Sequence, residues 1–241
     1  MRYQFVDCRW ELGNPGRGRE LYLAGHIPGA SFLDVDEDLS DLSVEDAGRH
    51  PLPGPERFAE TAKRAGIDED ALVVAYGNGG GPERLWWLLR HFGHDACAVL
   101  AGGIDAWLGP LREGDEEIAP ARFEPRERDD DTMSAEEIAD RLGDDSLVVV
   151  DARIESRWRG EPNPIDKVPG RIPGAVNLPF TDDGPIPEEV LSAPEIVVYC
   201  GSGVTSCVPL LRLVRAGRPD AKLYAGSWSE WEGRDLPREN G

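Results

Sequence analysis

The residues best suited to do chemistry form the run Tyr-Cys-Gly-Ser-Gly-Val-Thr at 199–205. An apolar, strand-like stretch ends at Cys200, and a helical stretch follows from about Val208. A cysteine at such a strand-to-helix turn lies where backbone N–H groups and a helix N-terminus converge. This geometry stabilises an anion and lowers the pKa of a thiol. The pattern therefore predicts that Cys200 is a nucleophile that carries a negatively charged adduct.

The other residues of this loop have predicted roles around the same sulfur. Gly201 and Gly203 let N–H groups face the sulfur without side-chain obstruction, although both glycines also suit an ordinary turn. Ser202 is expected to polarise the substrate or to move a proton. Thr205 can orient the substrate or cap the helix. For Cys200 itself, the alternative is a buried structural cysteine, which behaves as a small apolar residue.

Two arginines and a tryptophan are the next candidates. Arg153 follows the strand-ending Asp151, and ligands of parallel α/β sheets bind beyond the carboxyl ends of strands. We expect Arg153 to bind substrate, since arginine recognises carboxylates through two bonds; the alternative is an internal salt bridge with Asp151. Arg157 is a weaker candidate for the same pocket. Trp228 follows a Gly-Ser pair and is predicted to border the pocket, or else to pack in the core.

The chain contains an internal duplication. Three segments of the first half recur in the same order in the second half: 5–9 matches 149–153, 25–30 matches 170–175, and 101–107 matches 225–231. Each copy is too long for a solenoid unit, so each is predicted to be a domain. We place the domains at 1–112 and 133–241, with a charged, aperiodic linker at 113–132. Gly77 aligns with Cys200, so the first copy is expected to be inactive.

Both copies alternate short Val-rich runs with helical stretches. Continuous apolar runs separated by helices are typical of parallel strands that are covered on both faces. The predicted fold class is therefore α/β, with a parallel sheet flanked by helices on both faces in each of two tandem domains.

Composition narrows the function further. The net charge of −20 argues against a broad nucleic-acid-binding surface. The four cysteines, Cys8, Cys97, Cys200 and Cys207, show no CxxC spacing, so no metal site is expected. No signal peptide and no apolar run near the roughly 20 residues of a membrane helix are evident. We therefore expect a cytoplasmic protein with free thiols and no membrane partner.

The repeated Val-Asp-x-Arg motif, the Gly-His-Ile-Pro-Gly-Ala motif, the Gly-Ser-Trp-Ser-Glu-Trp motif and the cysteine loop together resemble the tandem-domain rhodanese family of sulfurtransferases. The resemblance covers nearly the whole chain. It implies two rhodanese-like domains and a cysteine persulfide on Cys200. The loop Cys-Gly-Ser-Gly-Val-Thr at 200–205 is similar to that of the mercaptopyruvate type, whereas the thiosulfate type has basic residues after the cysteine. No arginine closes the loop, which disfavours a phosphatase on this fold.

The resemblance also implies a reaction and partners. Sulfur would move from 3-mercaptopyruvate through Cys200 to cyanide, a low-molecular-weight thiol or thioredoxin, with no cofactor. The loop from Gly201 to Thr205, including Val204, would contact the substrate together with Arg153. His26 matches a proposed proton-relay histidine of the family, although it also suits a structural tie to its own loop. The alternatives are a thiosulfate:cyanide sulfurtransferase and a non-catalytic scaffold or sulfide sensor.

Overall fold

The computed structural model describes residues 2–240, which form two compact units. One unit comprises the residues up to Asp41 together with Leu52–Arg128. The other comprises Leu42–Pro51 together with the residues from Asp129 onward. Each unit is built around its own four-stranded sheet. Within residues 2–240, no helix combines the length and the apolar character needed to cross a bilayer.

The sheet of the first unit is entirely parallel, with the strand order β2-β1-β3-β4. One of its two central strands, Ala71–Tyr76, is apolar throughout, as is typical of a parallel strand that helices cover on both faces. The strands are β1 (Arg2–Asp7), β2 (Ser31–Phe32), β3 (Ala71–Tyr76) and β4 (Cys97–Val99). The helices are α1 (Arg17–Ala24), α2 (Pro55–Arg64) and α3 (Gly81–His91), followed by a short 3-10 turn at Gly103–Ala106.

The sheet of the second unit has the equivalent order, β6-β5-β7-β8, and is also parallel. Its strands are β5 (Leu147–Asp151), β6 (Val176–Asn177), β7 (Glu195–Tyr199) and β8 (Lys222–Leu223). Its helices are α4 (Ala135–Ala139), α5 (Glu155–Trp158), α6 (Glu188–Leu191), α7 (Cys207–Arg215) and α8 (Ser227–Trp231). One buried apolar cluster of this unit contains Trp228, Trp231 and Tyr199.

The two sheets confirm the predicted fold class. In both, the aspartate that ends one central strand pairs with the tyrosine that ends the next: Asp7 with Tyr76, and Asp151 with Tyr199. Each tyrosine hydroxyl then accepts a hydrogen bond from the backbone of the neighbouring repeat motif, at Ile27 and Ile172 respectively, both at 3.2 Å. The duplicated sequence thus builds the same local architecture twice.

The predicted linker differs from what the structure shows at 113–128. This stretch belongs to the first unit and follows its surface through backbone hydrogen bonds, among them Arg126 N–H to Phe92 at 3.0 Å and Arg128 N–H to His91 at 2.8 Å. Phe123, 3 % exposed, stacks edge-on against Phe58. A charged and Pro-containing segment can therefore be ordered, because one aromatic side chain and a few backbone bonds anchor it.

A second difference concerns Leu42–Pro51, which lies in the first sequence repeat but packs with the second unit. Its attachment uses the Arg49 N–H, which donates to Ser229 Oγ at 2.9 Å. Gly48 has a φ of +88°, and a Cβ there would lie 2.5 Å from the Gly226 carbonyl oxygen. Only glycine allows this close approach of the two backbones. The segment thereby brings Arg49 and His50 to the unit that contains Cys200.

Candidate active site

Cys200 lies directly after the buried strand β7 and before α7. Its side chain is buried; the whole residue is 1 % exposed. The Gly203 N–H points at the sulfur from 3.2 Å and the Ser202 N–H from 3.5 Å. Gly203 has a φ of +82°, a conformation that glycine adopts readily. The chain therefore folds its own amide donors around the thiol, as the sequence predicted.

The pKa of the Cys200 thiol is lowered from its ordinary value. Burial alone would raise it, but the hydroxyls of Thr205 and Ser206 and the amides of Ser202 and Ser206 donate to the sulfur and outweigh burial. Ser206 Oγ is buried, and no hydrogen-bond acceptor competes with the sulfur for its proton among residues 2–240. Sequence reasoning did not single out Ser206. The site thus favours a thiolate, which is the nucleophilic form of cysteine.

Ser202 and His50 form a buried pair next to this sulfur. Ser202 Oγ and His50 Nδ1 are 2.7 Å apart, and the two residues are 6 % and 5 % exposed. A serine hydroxyl bonded to an imidazole can pass a proton between the imidazole and a reacting group. His50 was missed by sequence reasoning because 152 residues separate it from Ser202. The only available signal was that it is one of four histidines in the chain.

Two guanidinium groups converge beside the cysteine at Gly201. A Cβ placed on Gly201 would lie 2.8 Å from Nη2 of Arg157 and 2.9 Å from Nη2 of Arg49. A side chain at Gly201 would therefore displace one or both guanidinium groups. Burial lowers the pKa of Arg49, and the charge of Arg157 lowers it further. The Arg49 Nε is buried without an acceptor, and no residue of 2–240 pairs with its guanidinium.

Two adjacent cations, one of them unpaired, are the expected arrangement of a site that holds an anion. Arg157 was predicted, and its Nε donates to Asp166 Oδ2 at 2.9 Å while its Nη2 pairs with Asp166 Oδ1. Arg49 was not predicted. Its position in the sequence gives no indication that its segment leaves the first unit.

Arg153 occupies a different place from the one expected. Its side chain is fully buried, with Nε 3.0 Å from Asp151 Oδ1 and Nη2 2.7 Å from the Gly170 carbonyl oxygen. Its Nη1 is 3.4 Å from Asp166 Oδ2, so every nitrogen is engaged within the protein. The alternative interpretation, an internal salt bridge with Asp151, is the one that these contacts support. We therefore correct its position: Arg153 lies behind Arg157 and does not line an accessible surface.

Trp228 is also buried completely, at 0 % exposure. Its backbone N–H donates to the Cys200 carbonyl oxygen at 3.0 Å, and its indole N–H donates to the Val168 carbonyl oxygen at 3.0 Å. The Arg153 guanidinium stacks on the ring, 4.7 Å from its centroid. Trp228 thus supports the cysteine loop from the protein interior and does not border a pocket. Val204, 1 % exposed, likewise packs inward, while the hydroxyl of Thr205 faces the sulfur.

His26 belongs to the first unit and is not among the residues that the second unit brings to Cys200. Its Nδ1 is 2.8 Å from the Tyr22 carbonyl oxygen, its ring stacks on Tyr22, and its Nε2 is 3.4 Å from Glu116 Oε1. The side chain is fully buried. These contacts fit the structural alternative, a tie within its own loop.

The first unit cannot present a cysteine at the equivalent position without rearrangement. A Cβ on Gly77 would lie 2.7 Å from the Cys8 carbonyl carbon and 2.8 Å from the Arg9 nitrogen. The next residue, Asn78, uses its side-chain oxygen to accept from the Trp10 N–H at 3.1 Å. This loop is therefore closed by local backbone contacts, whereas the loop after Cys200 surrounds a sulfur.

The fold and the site together define a two-domain α/β protein with one loop built around a reactive thiol. Comparison with known proteins gives the family. The Rhodanese-like domain matches residues 2–109 and again residues 134–234, and the chain belongs to that family. Human 3-mercaptopyruvate sulfurtransferase is 40% identical over 263 residues, which cover 98% of this chain and 87% of the human protein.

Solved structures agree with this assignment. The structure of SseA from Escherichia coli, a 3-mercaptopyruvate sulfotransferase with the rhodanese fold, superposes with a TM-score of 0.80 at 32% identity, covering 94% of this chain and 93% of SseA. The 3-mercaptopyruvate sulfurtransferase from Leishmania major gives a TM-score of 0.80 at 32% identity, covering 96% of this chain and 70% of that chain. The protein is an enzyme, a sulfurtransferase.

Proposed function

We propose that the enzyme moves sulfane sulfur from 3-mercaptopyruvate, through a persulfide on Cys200, to a thiol or cyanide acceptor. The observation that carries the proposal is a thiol of lowered pKa beside two converging guanidinium groups. The donor needs both features, since it has a sulfur to be attacked and a carboxylate to be held. The names of the human, Leishmania major and Escherichia coli relatives support the same donor.

Binding of the donor would use Arg157 and Arg49. Its carboxylate would supply the negative charge that Arg49 lacks, and charge-assisted bonds of this kind are roughly twice as strong as neutral ones. Both guanidinium groups meet at Gly201, which directly follows Cys200 in the sequence. The bound carboxylate would therefore lie beside the nucleophile. The donor's sulfur can then approach Cys200 from the side on which the loop has no side chain.

In the first chemical step, the Cys200 thiolate attacks the donor's thiol sulfur. A sulfur–sulfur bond forms, the carbon–sulfur bond of the donor breaks, and its electron pair remains on carbon as the enolate of pyruvate. The proton of the donor's thiol passes to the Ser202–His50 pair and from there to the enolate carbon. Pyruvate leaves, and Cys200 retains a persulfide anion. The proton lost by sulfur is thus the proton gained by carbon.

The loop amides and hydroxyls then hold the persulfide anion in a buried site, which limits its hydrolysis and oxidation. In the second step, an acceptor thiolate or cyanide attacks the outer sulfur, and the Cys200 thiolate departs. The kinetics should be those of a double displacement. For the acceptor we propose a low-molecular-weight thiol or thioredoxin in the cytoplasm, where the four cysteines of the structure would stay free.

Mass spectrometry and a donor assay test this proposal together. Incubation with 3-mercaptopyruvate should add one sulfur atom to the protein, and dithiothreitol should remove it. Cys200→Ser should gain no sulfur and lose turnover while keeping its melting temperature. Turnover above a few per cent in that variant would remove Cys200 from the nucleophile role. A higher kcat/KM for thiosulfate than for 3-mercaptopyruvate would mean that thiosulfate is the donor. No sulfur gain with either donor would favour a non-catalytic scaffold.

A further inference from the structure

The charged residues behind the Cys200 loop form one connected network. Arg157 pairs with Asp166 through two nitrogens, and Asp166 Oδ2 is also 3.4 Å from Nη1 of Arg153. Arg153 in turn pairs with Asp151. The Asp166 side chain is 1 % exposed, and Asn163 Nδ2 donates to its Oδ2 at 3.0 Å. Asp166 is therefore a fixed, buried carboxylate that joins both guanidinium groups.

The balance of charge in this network is uneven. The charges of Arg153 and Arg157 are matched by those of Asp151 and Asp166, which are in ion-pair contact with them. Arg49 lies against Arg157 at Gly201 and has no such partner. Asp166, Glu232 and the Cys200 thiolate act on Arg49 through their charges and not through a hydrogen bond. Glu232 Oε2 instead accepts the Val168 N–H at 2.8 Å. The two-guanidinium site thus has one uncompensated positive charge at contact distance.

We propose that Asp166 sets the donor specificity of the site by cancelling the charge of Arg157, so that the site accepts one negative charge and not two. This inference rests on the proposed function and deepens it. A monocarboxylate such as 3-mercaptopyruvate matches the single uncompensated charge of Arg49. Thiosulfate is a dianion, and its second charge would be left without a partner in a buried site, which is costly. Asp166 is a positioning residue, because it acts on the donor through Arg157.

The experiment is a donor comparison in Asp166→Asn, which keeps the shape of the side chain and removes its charge. The ratio of kcat/KM for thiosulfate to that for 3-mercaptopyruvate should rise about tenfold, since one charge is removed within a few ångströms of the donor. Asp220→Asn is the matched control. Asp220 pairs with Arg218 through the same two-bond geometry, at 2.9 and 2.6 Å, but is exposed and outside the network. Its donor ratio should equal that of the wild type.

A charge-conserving variant separates charge from geometry. Asp166→Glu keeps the carboxylate but displaces it, so both KM values should rise while the donor ratio stays near that of the wild type. If Asp166→Glu shifts the ratio as much as Asp166→Asn does, Asp166 acts through geometry alone and the proposal is overturned.

Arg49→Gln gives a second test that does not depend on the folding of the Asp166 variants. Removing the uncompensated charge should lower kcat/KM for thiosulfate more than for 3-mercaptopyruvate. Equal losses for both donors would overturn the proposal. An unchanged ratio in a folded Asp166→Asn protein would also overturn it, while sulfur loading of Cys200 in the wild type would still support the proposed function. A wild type that takes no sulfur from 3-mercaptopyruvate would refute both.

Discussion

The strand-end loops of the two units start from the same framework and differ in what they enclose. In each, a tyrosine ends the central strand and an Asp-x-Arg pair ends its neighbour. Arg9 donates to Asp7 and to the Gly25 carbonyl oxygen at 2.7 Å, and Arg153 donates to Asp151 and to the Gly170 carbonyl oxygen at 2.7 Å. A contact that persists in the unit with Gly77 in place of the Cys200 cysteine is a property of the fold. This is the strongest argument that Arg153 is structural.

The same reasoning applies to His26 and its counterpart Arg171. Each forms an isolated β-bridge, His26 with Arg112 and Arg171 with Glu239. Each also contacts a carboxylate that accepts from the glycine of the repeat motif: Glu116 with Gly29, and Glu239 with Gly174. By contrast, Arg157 aligns with Gly13, and Ser202 aligns with Gly79. The two copies therefore differ at the residues that surround the Cys200 sulfur.

The largest expected effect tests the buried Asp–Arg ion pair that both units share. Arg153→Met should destabilise the second unit by about 3–5 kcal/mol, because it leaves the buried Asp151 carboxylate without its partner. Arg9→Met should destabilise the first unit in the same direction, since Asp7 is equally buried. Chemical denaturation followed by a probe in each unit measures both. A stable Arg153→Met protein with a raised KM would instead return Arg153 to the substrate site.

The next prediction contrasts two of the buried histidines, His50 and His26. His50→Asn should lower kcat about a hundredfold, the size of a lost general acid–base group, with a smaller effect on KM. Ser202→Ala should give a similar loss, and the double variant should lose little more, because the two residues act as one relay. His26→Asn should change kcat less than twofold. A large kcat loss in a folded His26→Asn protein would assign proton transfer to the first unit.

We expect that loss of the Arg157 charge raises KM for the donor. Arg157→Gln should raise KM for 3-mercaptopyruvate roughly tenfold to a hundredfold, corresponding to about 1.5–3 kcal/mol for a hydrogen bond to a charged group. Arg159→Gln is the control, since its side chain is exposed and, within residues 2–240, pairs only with Glu155. Steady-state kinetics at saturating acceptor measure both. Equal KM values in the two variants would mean that the carboxylate binds elsewhere.

The fold and the cysteine loop could be predicted because their signals are local. Strand-ending motifs, apolar runs and the strand–Cys–Gly–Ser–Gly turn all lie within a few residues of the structure they specify. Arg49 and His50 could not be predicted in this way. Their segment lies in the first repeat, and only its contacts in three dimensions, such as the packing of Gly48 against Gly226, show that it joins the second unit. Asp166 was missed for a related reason: a single acidic residue in a loop belongs to no sequence motif that would indicate its partners.

The choice between the two interpretations of Arg153 was open for a different reason. Its motif was read correctly as the end of a strand, but the direction of the side chain depends on what else is buried there. The Arg153 guanidinium stacks on the Trp228 ring and donates to the Gly170 carbonyl oxygen. No spacing in the sequence predicts these contacts. Comparison of the two copies would have decided between the two interpretations, because Arg9 has the same spacing from Asp7 in the repeat that has Gly77 at the position of Cys200.

The smallest expected effect concerns the hydroxyl groups that only the active loop possesses. Thr205 and Ser206 donate to the Cys200 sulfur and hold its pKa below the ordinary value. Removing either donor, in Thr205→Val or Ser206→Ala, should raise that pKa, because the thiolate loses a bond that the neutral thiol does not need. The thiolate fraction near neutral pH then falls, and the rate of alkylation by iodoacetamide falls about threefold to tenfold.

The pH dependence identifies the cause of that loss. The alkylation profile of each variant should move to higher pH and should reach the wild-type rate on the alkaline side, where every thiol is ionised. Ser192→Ala, which removes an exposed hydroxyl bonded to the Glu188 carbonyl oxygen, should leave the profile unchanged. A rate that is lower at every pH would show that access to the sulfur, and not its ionisation, has changed. A midpoint that does not move in either loop variant would mean that the backbone amides alone stabilise the thiolate.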